Sequence, residues 1–597
     1  MAGSGLWEVS RVRRAEGAEL GFVAANGLIV SCRAEEFGEE LRPVVAYLAP
    51  ALPHACFLFA GDGSGRTLVM EGGPFPATIL PLRAARSAAD PDLVALAAPH
   101  TGLFACAAPS DPRRVILSGA DRDASQWYRL VADPAQRSPL AGMVEAIAGP
   151  LTGPAILARI QAGVPPDQTQ AFLALASLLP EDQAQWLAGV LLTSPPAMQA
   201  LQRLAPDDVW AQFALPALHA SMQGRRSATI GRVGPELDLL AEAGLNGHPA
   251  TFAHRCNALA RASVAPRRTL AIVATARNEG LYLLEWVAYH RRIGVERIFL
   301  YSNDNDDGSD ELLRILAEHD VITWIQSETG PGRSAQPKAY GHAFGLLPEI
   351  LDYRWTLVID LDEFLGLETG RFGSATEFLD WQETQRVDTV ALDWLVFGSD
   401  GRDRWEDGPM LSRFTHRLPW VDMHVKSVTR TNLCLQSHPH IPVLSRSSPP
   451  VARTETGALL ERGSSPSYNA RPSAGLAWIA HYFLRSTEEF VWKNSRNRGD
   501  HALVKGLTPS LIDPEFATMF LGQHRGGSNV RDDRTLRCVP GLAAEIARLE
   551  ALPGVPPALA QIRRRFRQSL EGIKASVLGD PAFGPGSPVR SVVDLIA

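Results

Sequence analysis

Cysteine is scarce in this chain, with six residues in 597 (Cys32, Cys56, Cys106, Cys256, Cys434 and Cys538) and no C-x-x-C pair. That spacing argues against a disulfide framework and against a zinc knuckle, and it fits thiols kept in a reducing compartment. Long hydrophobic runs are also lacking, because no stretch of eighteen apolar residues occurs, so no transmembrane segment is expected. Met1 to Arg14 carries charges where a signal peptide needs an apolar core. The expectation is a cytoplasmic protein, with peripheral membrane contact left open. A basic excess is missing too: 58 Lys and Arg stand against 65 Asp and Glu, for a net charge of -7. Without a basic field or a Lys/Arg run interleaved with aromatics, nucleic acid is not an expected partner.

What is present is ordinary soluble globular composition, 45% hydrophobic and 21% charged. A chain of 597 residues implies roughly two to four domains. Residues 1–130 hold short apolar runs broken by Gly, Pro and Asp, such as Ala55-Cys-Phe-Leu-Phe-Ala, which predict a β-rich N-terminal domain. Residues 131–265 change to Ala/Leu/Gln segments such as Gln170-Ala-Phe-Leu-Ala-Leu-Ala, which predict a helical region. From 266 to 505 apolar strands alternate with helical stretches of about a dozen residues, the pattern of βαβ units on a parallel, doubly wound sheet. Residues 506–597 read as a C-terminal helical extension.

The chemistry concentrates in the third segment. Asp360-Leu361-Asp362 follows Trp-Thr-Leu-Val-Ile, an apolar run expected of a strand buried on both faces. The pair then sits at a strand's carboxyl end, where open α/β sheets bind ligands. A spacing of two along extended chain puts both carboxylates on one side, where they can share a hard divalent cation, Mg²⁺ or Mn²⁺. A solvated acidic turn explains the same residues, and Asp90/Asp92, Asp121/Asp123 and Asp304/Asp306 repeat the spacing elsewhere. Context separates them. The first strand ends in Arg277-Asn278-Glu279 and the second runs into Asn303-Asp304-Asn-Asp-Asp-Gly-Ser, so three polar loops share one sheet edge. Helix capping accounts for Asn278, or for Asp307 or Ser309, but not for the whole set.

Taken in order, Arg277-Asn-Glu, Glu285-Trp-Val-Ala-Tyr-His, the Asn303 loop, Asp360-Leu-Asp-Glu-Phe-Leu, and His481-Tyr-Phe-Leu-Arg-Ser with Lys493 and Arg498 resemble the family-2-like and family-92 glycosyltransferases. The resemblance covers residues 268 to 502. It implies an α/β fold of GT-A (Rossmann-like) type and a metal-dependent transfer of a sugar from a nucleotide-sugar donor, UDP-linked, to a glycan or other hydroxyl acceptor, with inversion. By that resemblance Arg277, Asn278, Glu279 and Asp304 lie at the nucleotide end, Asp360 faces ribose and metal, and Asp362 binds the metal directly. His481 is the candidate third ligand, with a core histidine as the competing explanation. Arg485, Lys493 and Arg498, and Lys338 ahead of the acidic motif, are candidates for the donor phosphates.

An inverting transferase needs a carboxylate base beside the acceptor hydroxyl. Asp400 and Asp422 are the two candidates, and the residues alone do not choose between them. Glu363 suits a supporting position beside Asp362. Trp394, Phe397 and Trp420 can stack on sugar faces or fill a core. Two other classes compete. A haloacid-dehalogenase-type phosphatase also places D-x-D after an apolar strand, but it wants Thr where Phe364 stands and uses its first strand. A non-catalytic glycan or nucleotide-sugar binding protein keeps the fold without turnover. The Ala, Arg and Gly content hints at a bacterial enzyme of surface polysaccharide synthesis.

Overall fold

The computed structural model describes residues 7–597 except 72–76, 91, 100–102, 109, 119–125, 225–227, 246, 248, 446–449, 496–511 and 526–529. The chain divides into two compact units: residues 1–224, 243–264 and 443–449, and residues 225–242, 265–442 and 450–597.

The first unit begins with a 10-stranded antiparallel sheet running from Trp7–Arg14 to Trp127–Ser138. Trp7–Arg14 pairs with Trp127–Ser138, Leu41–Leu48 and Glu19–Val23, and these cross-pairings curl the sheet on itself. Its enclosed face is apolar, with Val12, Phe22, Leu58, Leu80, Leu96 and Tyr128 all buried. Helices follow from Pro139–Ile147 onward. Three of them open on a Ser or Thr cap close ahead of a proline: Ser138 before Pro139–Ile147, Thr152 before Gly153–Ala162, and Ser194 before Pro195–Leu204. The hydroxyl satisfies an orphan N–H, and the proline sits where its missing N–H costs nothing.

The helical region expected to run from 131 to 265 is interrupted. Residues 225–242 leave the first unit and supply the second with the strand Ile230–Val233 and the 3-10 helix Pro235–Ala241. A run as short as Ile-Gly-Arg-Val carries no periodic signal, and only a partner edge makes it a strand. The β-rich segment likewise runs on to Ser138.

The second unit is built on a mixed sheet. Its parallel half has the order Ile230–Val233, Thr323–Ser327, Arg297–Ser302, Arg268–Ala276, Tyr353–Val358. Asp422–Arg430 then pairs antiparallel with Tyr353–Val358 and with Thr389–Val396. Ala477–His481 runs beside Thr389–Val396, and Glu363–Leu367 closes the order antiparallel to it. Arg268–Ala276 therefore lies between Arg297–Ser302, the next strand in sequence, and Tyr353–Val358, the third strand after it. Order reverses there, and the reversal opens a crevice at the carboxyl ends. Arg277 to Glu279 and Asp360 to Asp362 both emerge into it.

The C-terminal helices belong to this unit. Leu542–Glu550 lies on Leu283–Ile293, and the long Val555–Gly579 lies on Ser309–Glu318 and Thr487–Asn494. Ile562, Phe566 and Leu570 of the long helix are buried in the same core as Ile272, Trp286 and Leu357. Among the described residues no helix is long and apolar enough to cross a membrane.

Candidate functional site

Asp360 and Asp362 stand where the apolar strand stops, but the two carboxylates have different neighbours. Asp360, about a third exposed, accepts from Lys426 Nζ at 2.8 Å and from Gln336 Nε2 at 3.0 Å. Lys426 is fully buried and lies 3.1 Å from Glu363, whose carboxylate also receives the Asp360 N–H at 2.9 Å. Burial works against the Lys426 charge, but Asp360 and Glu363 outweigh it and keep the ammonium protonated. This buried lysine fixes the first acid of the motif, and sequence reasoning missed it. Its signal was a Lys at an inward position of the strand Asp422–Arg430.

Asp362 is buried and surrounded by cations. Its Oδ2 is hydrogen-bonded by Lys493 Nζ and lies 3.4 Å from His481 Nε2 and 3.6 Å from Arg485 NH2. Burial alone would raise its pKa, yet Lys493, His481 and Arg485 hold it well below the usual carboxylate range. Strand register explains the meeting with His481. The chain turns after Asp362 into Glu363–Leu367, which pairs antiparallel with Ala477–His481 so that Glu363 faces His481. The Tyr482 N–H then donates to the Asp362 carbonyl at 2.9 Å.

Arg485 is buried with a left-handed backbone, φ 56°. Its Nε donates to the Tyr482 carbonyl at 3.0 Å, and its guanidinium lies 3.9 Å above the Tyr282 ring and 3.9 Å from Glu279 Oε2. Among the described residues its two terminal nitrogens have no hydrogen-bond partner. Lys493 rides on the helix Thr487–Asn494, which starts at a capping box between Ser486 and Glu489. Glu489 is anchored in turn by both terminal nitrogens of buried Arg413, each at 2.8 Å. Arg498 falls outside the described residues.

At the nucleotide end, the Asn278 side chain is occupied in joining two loops. It accepts from the N–H groups of Asp306 and Asp307 at 2.8 and 3.2 Å and donates to Asp306 Oδ1 at 2.7 Å. Asp307 Oδ2 accepts the Gly280 N–H at 3.0 Å, which completes the tie. The side chain of Asn278 therefore positions this edge, and Asp304, exposed at φ 45°, remains on it. Among the described residues, four of the six non-glycine residues with positive φ are candidate site residues: Asn278, Asp304, Asp400 and Arg485. Such backbone costs free energy, and it gathers where a site needs it.

Lys338 corrects the expectation placed on it. Its ammonium is wholly buried and is taken up by the carbonyls of Gly234 and Glu328 and by Asp238 at 3.0 Å, so it binds the edge segment rather than presenting charge to a donor.

The two candidate bases also separate. Asp400 accepts from the Thr415 N–H at 2.9 Å, the His416 N–H at 3.2 Å, Thr415 Oγ1 at 3.2 Å and His416 Nδ1 at 3.1 Å. It organises a turn. Asp422 is half-buried and, among the described residues, accepts only from His424, through the backbone N–H at 2.9 Å and Nδ1 at 2.6 Å. Burial raises its pKa, but the two His424 hydrogen bonds dominate and lower it. Trp394 links this pair to the acidic motif, because its ring lies 4.8 Å from that of His424 and 4.3 Å from that of His481. Phe397 is buried against Tyr482 at 4.4 Å and fills core, whereas Trp420 is exposed.

Among the described residues no group of three or more His, Cys, Asp and Glu side chains is placed to hold a metal ion. Asp362 and His481 do fit as a pair. Their facing atoms are 3.4 Å apart, close to the separation of about 3 Å between neighbouring ligands of one small divalent cation. His481 Nδ1 is buried without a hydrogen-bond partner among the described residues.

Residues 273–455 match the sequence model of glycosyltransferase family 92. A family 92 protein of Oryza sativa subsp. japonica is 27% identical over 262 residues, 41% of this chain and 41% of that protein. One from Ricinus communis is 37% identical over 105 residues, 17% of this chain and 18% of that protein. The chain thus spans about two fifths of the first relative's length. Among solved structures, S. aureus TarS 1-349 is 12% identical over 52% of this chain and 92% of that one, with a TM-score of 0.20. The matched segment, residues 273–455, takes in the acidic motif Asp360-Leu361-Asp362, and over it the chain is similar to glycosyltransferases of family 92.

Proposed function

We propose that the second unit transfers a sugar from a nucleotide-sugar donor, UDP-linked, to the hydroxyl of a glycan or similar acceptor, with inversion. The observation that carries this reading is Asp362: a buried, ionised carboxylate at the switch point of a parallel sheet, ringed by His481, Lys493 and Arg485. A nucleotide diphosphate departs with negative charge, and cations fixed in a water-poor crevice stabilise that charge as it develops. Lys493 and the terminal nitrogens of Arg485, which make no hydrogen bond among the described residues, supply such groups. Asp304 and the loop held by Asn278 lie at the edge where a base and ribose would rest.

Asp362 and His481 would hold a divalent cation, Mn²⁺ or Mg²⁺, with Asp360 kept beside them by Lys426. When bound, the cation neutralises diphosphate charge. On the acceptor side the base lies at the Asp422–His424 pair rather than at Asp400, whose oxygens are spent on the turn at Thr415 and His416. The cysteines, none of them in a disulfide among the described residues, suit a cytosolic setting.

Binding and turnover of a panel of UDP-sugars, with and without Mn²⁺, test this directly. Sugar release with Mn²⁺, lost in Asp362→Asn, is the expected result. Absence of turnover with every donor and acceptor, alongside retained UDP binding, would leave only a binding protein.

A further inference from the structure

A general base must be held still, must keep a lone pair open toward the acceptor and must lie beside the donor crevice. His424 combines these features. Its Nδ1 meets Asp422 Oδ1 at 2.6 Å, and its own N–H binds the same oxygen at 2.9 Å. An ionised carboxylate only accepts hydrogen bonds, so Nδ1 carries the proton and Nε2 presents the lone pair. Among the described residues Nε2 has no hydrogen-bond partner, and the side chain is about a third exposed. The ring is clamped: Trp394 stacks on it at 4.8 Å and 17°, and Tyr468 meets it edge-on at 4.6 Å. Trp394 in turn touches His481, which faces Asp362.

The other imidazoles nearby lack this combination. His440 bonds the Val425 carbonyl at 3.1 Å, and burial together with Lys426 drives its pKa down to about 3. His481 belongs to the Asp362 cluster. His416 shares Asp400 with three other donors and meets no aromatic ring among the described residues. The titratable and charged groups facing His424 are therefore Asp422, Tyr468 and His440, with His481 beyond Trp394.

Resting on the transferase reading above, we propose that His424 is the general base for the acceptor hydroxyl and that Asp422 is its positioning residue. The acceptor oxygen forms its bond to the anomeric carbon as its proton passes to His424 Nε2. The bond from that carbon to the diphosphate oxygen breaks, and its electron pair leaves with the diphosphate. Asp422 keeps its negative charge and holds the imidazolium that results.

The test is UDP-sugar turnover by the full-length protein, with water or a simple alkyl glycoside supplying the hydroxyl. His424→Ala and His424→Gln should lower turnover by about 10²-fold or more while UDP binding changes less than about threefold. Added imidazole should restore His424→Ala about tenfold and should restore neither His424→Gln nor Asp422→Asn. If His424→Ala unfolds, His424→Gln carries the turnover and binding readouts. Undiminished turnover in either variant, or a loss in His424→Ala that imidazole does not repair, overturns the base assignment. Wild-type protein inactive toward every UDP-sugar overturns the transferase reading itself, which a silent His424 would not.

Discussion

Asp362 illustrates how one buried carboxylate organises several cations. Lys493, His481 and Arg485 converge on its Oδ2, so removing the charge leaves buried positive groups uncompensated. Asp362→Asn should lower kcat/KM for a UDP-sugar by at least about 10²-fold and also lower stability by about 3 kcal/mol, measured by turnover and by urea unfolding. His254 gives a cleaner pH signal, since it lies in the first unit, far in sequence from this cluster. Its Nδ1 accepts the Ala250 N–H at 2.7 Å, it stacks on Trp210 at 4.1 Å, and burial drives its pKa from 6.5 to about 3. The unfolded chain thus binds a proton below pH 6.5 that the folded ring refuses. Stability is intact above that pH and falls by about 1.4 kcal/mol per pH unit as pH drops from 6.5 toward 3. Unfolding of the first unit followed from pH 7 to pH 5 should show the decline, and His254→Gln should flatten it. At this scale the sequence signalled the acids but not their partners. Lys338 and Lys426 look alike as lone lysines, and only the fold assigns one to Asp238 and the other to Asp360.

Elements set the edges of the crevice. The loop after Arg268–Ala276 passes so close to the helix Val555–Gly579 that a Cβ on Gly280 would lie 2.8 Å from Ile562 Cδ1 and 3.0 Å from Asp307 Oδ2. Gly280→Ala should displace the Arg277 to Glu279 loop, raise KM for the donor several-fold and cost about 1–3 kcal/mol in thermal unfolding. The same long helix donates Arg565 to the Asp306 carbonyl at 2.5 Å and buries Phe566 against Trp492 and Trp405. Phe566→Ala should cost about 3–5 kcal/mol and loosen both the Asn303 to Asp307 loop and the helix that carries Lys493. Hydrogen exchange of those two segments would register it. The strands and helices from 268 to 359 were legible because their apolar runs are long and regular. The strand Ile230–Val233 was not, because its conformation depends on the edge of Thr323–Ser327.

For the whole molecule, two compact units predict unfolding that is not two-state. Calorimetry should resolve more than one transition, and UDP with Mn²⁺ should raise only the one belonging to the second unit. The boundary matters for truncation. A chain of residues 225–597 keeps Ile230–Val233 and Asp238, whereas one of residues 263–597 strands buried Lys338 without its carboxylate. The shorter chain should be less stable by about 3 kcal/mol in denaturant titration.

The sequence alone determined the class of the second unit. Long buried strands alternating with helices, each ending in acids and amides, have few ways to fold other than as a parallel sheet with a polar carboxyl edge. It also named Asp360, Asp362 and His481 together as a candidate metal site, but on a family resemblance and not on any sign in the residues that they meet. Tertiary structure decided which residues meet, because strand pairing across more than a hundred residues brings His481 to Asp362 and sets Trp394 between His481 and His424. It also separated Asp422, left open beside His424, from Asp400, closed into a turn. The physical reason is that local sequence fixes period and capping, whereas burial, charge pairing and access depend on neighbours that only the packed chain supplies.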